Sequence, residues 1–237
     1  MNTEEIYKDI LLYFSQNEDE AIVKKYSRYF KEGYQAYGLT SELLNAKADE
    51  ILAGKSFSIK DIYPLCLILA KGEKYEEPAF AYLLLRKSKK QFNSETFDQL
   101  SKWFDIGINN WAHTDSICAE LLWELLRKNI IKINDFDSWK TAKNKFKRRA
   151  VPVSLIKQMK IASDYSSFYF YIDDMMLDPE REVHQGLGWF LREIWKKNPE
   201  ETEKFLLKWK NKSARLIFQY ACEKMTPEKK LLFRRDK

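Results

Sequence analysis

Histidine, cysteine, proline and glycine are all scarce in this chain of 237 residues, with two, three, six and seven copies. Only His113 and His184 are present, which leaves little for a histidine-based triad or a multi-histidine metal site. Cys66, Cys118 and Cys222 lie far apart and form no CxxC or Cys/His cluster. Neither a zinc site nor a disulfide framework is expected. Each cysteine falls in an apolar helical pattern, where it reads as a small buried hydrophobe, and a reducing cytoplasm is the expected compartment. So few glycines and prolines argue against long irregular loops. P-loop, GxGxxG, HExxH and GxSxG motifs are all missing. The acidic N-terminus lacks the apolar region of a signal peptide, and the longest apolar run, near Leu65–Ala70, is far too short to span a bilayer. No metal, no cofactor and no membrane partner are expected.

What the chain does have is typical of a globular protein, with hydrophobic residues at 45% and charged residues at 32%. Its length suits one large domain or a repeat array. Aromatics are abundant, seven Trp and thirteen Tyr among them, so some can face solvent or a ligand. The net charge of +6 permits a polyanionic partner without requiring one.

Apolar residues recur at helical spacing almost throughout. Helices are expected over about 3–15, 19–36, 40–54, 58–71, 75–90, 94–107, 112–128, 135–143 and 145–161. Gly38, Gly54 and Gly72 act as stops, and Pro152 should kink the last of these helices. Ser166–Leu177 is expected to be helical, although Phe168-Tyr169-Phe170-Tyr171 can also be read as a strand. Asp178-Pro179-Glu180, Asn198-Pro199-Glu200 and Thr226-Pro227-Glu228 each place a capping residue, Pro at the first helical position and an acid at the positive helix end. The expected fold is all-α. Helix–turn–helix units at intervals of roughly 35–40 residues point to HEAT-like pairs stacked in a solenoid, a single domain over 1–237.

Three constellations could carry chemistry. Trp111 and Asp115, four residues apart, share one helix face after a polar turn. A buried structural pair and a functional pair both fit that pattern. Lys140, Lys143, Lys145, Lys147, Arg148 and Arg149 form the densest basic run. It suits phosphate contact, and equally a solvated face. Third, His184-Gln185-Gly186-Leu187-Gly188-Trp189 sits inside a helical pattern although each Gly costs a helix about 1 kcal/mol relative to Ala. Either a neighbouring helix packs tightly there, or a ligand approaches the backbone.

Taken in order, Trp111-x3-Asp115-Ser116-Ile117, Arg149-Ala150 and Gly188-Trp189-x-Leu191-Arg192-Glu193 resemble the AlkD-type DNA alkylation repair glycosylases. Arg28-Tyr29-Phe30-Lys31 with Tyr37-Gly38 resembles the N-terminal region of that family, so the likeness runs from about residue 4 to residue 230. The resemblance implies a HEAT-like solenoid whose concave basic cleft holds double-stranded DNA, and excision of cationic N3- or N7-alkylated purines without metal or cofactor. By motif, Trp111, Asp115 and Trp189 would be the catalytic cleft residues. Arg149 would contact the DNA backbone, helped by Arg148, Lys147 and Lys143, and Tyr29 would lie near the lesion. A monomer acting in the cytoplasm is expected. Two departures stand out. Ala112 replaces the Asp that usually follows the first Trp, and Thr40-Ser41-Glu42-Leu43-Leu44 lacks the arginines of the family's Thr-Pro-x-Arg-Arg run. A HEAT-like DNA-binding module without excision, or a protein–protein scaffold, are the alternatives.

Overall fold

The computed structural model describes residues 2–236 apart from 32, 54–57 and 163. Among the described residues every regular element is helical. The chain divides into two compact units, Met1–Ile108 and Asn109–Lys237.

The first unit holds α1 (Thr3–Gln16), α2 (Glu20–Ser27), α3 (Ser41–Ala53), α4 (Ile59–Ala70), α5 (Glu76–Lys87) and α6 (Ser94–Ile106). Asn2 and Glu5 close a capping box at α1, and Asp19 caps α2 by accepting from the amides of Ala21 and Ile22. The expected stop at Gly54 lies outside the described residues. The second helix ends at Ser27, well short of the expected Ala36. Two features hold the chain out of the helix before Ala36 and just beyond it: Gly33 adopts φ +107°, and Glu76, which begins α5, grips the backbone at 37–39. Its buried carboxylate accepts from the amides of Tyr37, Gly38 and Leu39 at 2.8, 2.8 and 3.2 Å. Gly38 adopts φ +82°, and a Cβ there would stand 2.2 Å from the Asp19 carbonyl oxygen.

The second unit begins with α7 (Trp111–Ile117), which runs through a π-turn at Cys118–Leu122 into α8 (Trp123–Arg127). Then come α9 (Lys145–Gln158), α10 (Ser166–Ile172), α11 (Arg181–Trp195), α12 (Pro199–Trp209), α13 (Arg215–Ala221) and α14 (Pro227–Leu231). The expected helix over 135–143 is a 3-10 stretch, Ile133–Trp139, and Ser166–Leu177 divides into α10 and a 3-10 turn at Asp174–Leu177. Pro199 and Pro227 open their helices as expected. Pro179 stays outside, because α11 starts at Arg181. Pro152 sits within a single helix, α9.

Helix α11 is the spine of this unit, buried through Val183, Leu187, Phe190, Leu191 and Ile194 between α9 and α13. Its two glycines make that possible. They stand about 200° apart around the axis, so each serves a different neighbour. A Cβ on Gly186 would lie 3.2 Å from Arg149 Cγ on α9. One on Gly188 would lie 2.5 Å from Tyr220 Cβ and 2.7 Å from the Ile217 carbonyl oxygen on α13. Close helix packing accounts for both.

Candidate active site

Helices α7, α9 and α11 bring Asp115, Arg149 and Glu182 together. The Asp115 carboxylate accepts from Arg149 Nε at 2.9 Å and from Arg149 Nη2 at 2.8 Å, a two-pronged pair. Arg149 Nη1 donates to the Glu182 backbone carbonyl at 2.8 Å. The guanidinium is therefore locked, and only 5% of the residue is exposed. Gly186, one turn beyond Glu182, gives the Arg149 stem its room. Burial pushes the Asp115 carboxyl above its ordinary value, while hydrogen bonding and charge from Arg149 pull the other way.

Trp111 lies one turn before Asp115 on the same helix and is 42% exposed. The N-terminus of that helix is capped by Asn110, which accepts from the His113 amide at 2.9 Å. Trp189 is half-buried on α11, two turns beyond the Glu182 carbonyl that Arg149 holds. An anchored carboxylate one turn from an open indole can face a developing positive charge with both a negative group and a π-face.

Most of the basic run is paired with carboxylates or buried, not displayed. Arg148 donates to Asp178 through Nε and Nη2, at 2.6 and 3.2 Å, and through Nη1 to the carbonyls of Ala142 and Lys143. Lys147 is buried with its Nζ 5.3 Å from the Trp139 ring centroid. Lys145 pairs with Glu182 at 3.0 Å, and Lys140 with Asp174 at 2.9 Å. Of the six, Lys143 is the exposed one. Tyr29 belongs to the first unit and is 52% exposed, with Arg28 over its ring at 4.9 Å.

Glu182 and Lys157 are structural partners that the sequence does not single out, and Asp178, expected as a helix cap, is the partner of Arg148. Lys157 Nζ on α9 donates to the Ala119 carbonyl at 2.5 Å, inside the π-turn that follows Asp115. Such a turn is a known marker of functional helices. Local sequence carries no signal for these pairings, since each joins residues 30 or more positions apart.

Among the described residues no group of three or more His, Cys, Asp or Glu could hold a metal ion, and no helix is long and apolar enough to cross a membrane.

A family model described as DNA alkylation repair enzyme matches residues 10–225. Two solved structures are similar to this one. A predicted DNA alkylation repair enzyme from Enterococcus faecalis matches with a TM-score of 0.74 and 14% identity, over 89% of this chain and 98% of that one. AlkD2 from Streptococcus mutans matches with a TM-score of 0.58 and 19% identity, over 88% and 99%. At such identities the likeness shows the all-α fold. No curated protein matches the chain.

Proposed function

This chain belongs to the DNA alkylation repair enzyme family, and from that premise we propose that it is a DNA glycosylase acting on N3- and N7-alkylated purines in double-stranded DNA in the cytoplasm. The observation that carries this reading is the Asp115–Arg149 pair, a carboxylate fixed by two hydrogen bonds one turn from the exposed Trp111.

The alkylated purine is cationic, so the bond from its N9 to C1′ breaks with the electron pair leaving on a neutral base. No acid has to protonate the leaving group. The positive charge that develops at C1′ is met by the Asp115 carboxylate and by the faces of Trp111 and Trp189. Water then adds to C1′ and gives up a proton, for which Asp115 is the acceptor within reach of the site. Arg149 acts through Asp115 as a positioning residue, and Lys143 contacts the DNA backbone.

A DNA-binding module without excision is the second reading. It is favoured by the fact that both Asp115 oxygens already accept from Arg149. Incubation with methylated duplex DNA separates the two. Release of 7-methylguanine and 3-methyladenine supports the glycosylase. Duplex binding without release supports the module, and absence of both rejects a DNA function.

A further inference from the structure

In the first unit, residues 24–31 read Lys-Lys-Tyr-Ser-Arg-Tyr-Phe-Lys across the end of α2. Lys24, Lys25, Tyr26, Arg28, Tyr29 and Lys31 are all exposed. No carboxylate pairs with any of these four cations among the described residues. Cations and rings are interleaved, with Lys25 Nζ 5.4 Å from the Tyr26 centroid and Arg28 Cζ 4.9 Å from that of Tyr29. Arg28 Nη2 also donates to the Tyr29 hydroxyl at 2.9 Å. The two rings are 6.5 Å apart.

The segment is anchored from behind. Phe30 stacks on Tyr34 at 4.6 Å and meets Tyr75 edge-on at 5.6 Å. The chain that follows is tied to α5 by the Tyr75 amide, which donates to the Gln35 carbonyl at 2.7 Å, and by the three amides that Glu76 collects. A rigid base beneath exposed rings lowers the ordering cost of binding.

We propose that this segment is a stacking platform for unpaired nucleotides, with single-stranded DNA as its partner. The four exposed cations call for a polyanion, and the two exposed rings call for flat aromatic groups to lie on them. Unpaired nucleotides supply both in alternation. An intact duplex offers phosphates but no base face. A lipid surface calls for an apolar face of residues such as Trp, Phe and Leu, whereas Phe30, the apolar ring of this segment, is turned to the aromatic cluster.

The test is fluorescence anisotropy with the whole chain and an undamaged oligothymidylate of about 15 nucleotides. Tyr26→Ala with Tyr29→Ala should weaken single-strand binding by about tenfold or more, while Tyr26→Phe with Tyr29→Phe should restore it. Lys24→Gln with Lys25→Gln should reduce the slope of log affinity against log salt by about 1.4. Thermal melting of each variant checks that these exposed changes leave the fold intact. The proposal is overturned if the wild type does not bind the oligonucleotide, or if the Ala pair binds it as well as wild type. It is equally overturned if the Ala pair loses as much affinity for duplex as for single strand, or if phosphatidylglycerol vesicles bind with the same dependence on Tyr26 and Tyr29. Because the probe carries no lesion, its outcome is independent of excision, and failure of either reading leaves the other standing.

Discussion

Two basic stretches, 24–31 and 140–149, look alike in the sequence and behave oppositely in the structure. The first displays its cations. The second has Lys147 and Arg149 buried, ties Arg148 to Asp178, Arg149 to Asp115, Lys145 to Glu182 and Lys140 to Asp174, and leaves Lys143 exposed. The difference lies in what faces each stretch. Carboxylates from α7, the 174–178 turn and α11 converge on the second, and none converges on the first among the described residues. Density of charge in a sequence therefore marks a binding surface only where no other element supplies the counter-charge.

A large stability effect should come from breaking a buried ion pair of the second stretch. Arg148→Ala leaves Asp178 buried, with 5% of its side chain exposed. It should cost about 3 kcal/mol in chemical denaturation, against less than about 0.5 kcal/mol for Lys25→Ala. Equal costs would erase the contrast.

Burial of the second stretch depends on α11 coming close. Gly188→Ala should destabilise by about 2 kcal/mol, because the new methyl meets the Ile217 carbonyl oxygen at 2.7 Å. Gly186→Ala should cost less, since its nearest neighbour, at 3.2 Å, is the Arg149 stem. If calorimetry returned the reverse order, the packing assignment of the two glycines would be wrong.

Asp115 gives the contrast a pH signature. Its folded value lies above the ordinary aspartate value of 3.8, from burial against the pull of Arg149. The folded chain thus holds a proton that the unfolded chain has released. The stability this contributes is complete below 3.8 and is lost as pH rises through the folded value. On the proposed mechanism excision needs the carboxylate and should have its acid limb above 3.8; a limb at or below that value in the pH–rate profile would detach Asp115 from the chemistry.

The smallest effect belongs to the exposed residue of the second stretch. Lys143→Gln should leave the melting temperature unchanged and reduce the salt slope of duplex binding by about 1. An unchanged slope would remove Lys143 from the interface.

Much of the fold was legible because helical periodicity and caps are local. Val183, Leu187, Phe190 and Ile194 are buried as their spacing requires. The path of the chain after α2 was not legible, since the grip on residues 37–39 comes from Glu76 on α5. The π-turn after Asp115 was equally hidden, with Lys157 holding it across 38 residues. In the site, the motif order singled out Trp111, Asp115, Arg149 and Trp189, but it could not show that Arg149 is spent on Asp115. That pairing depends on the approach of α9 to α7 and on the space Gly186 leaves beside Arg149.

The most direct test of the central claim, that this buried pair is built for chemistry, compares Asp115→Asn with the double variant Asp115→Asn, Arg149→Gln. The single change strands a buried guanidinium and should cost both stability, about 3 kcal/mol, and excision of 7-methylguanine. The double change replaces the ion pair with two neutral amides, so stability should recover while single-turnover excision stays lost. Recovery of excision along with stability would contradict the claim and make the pair a structural strut.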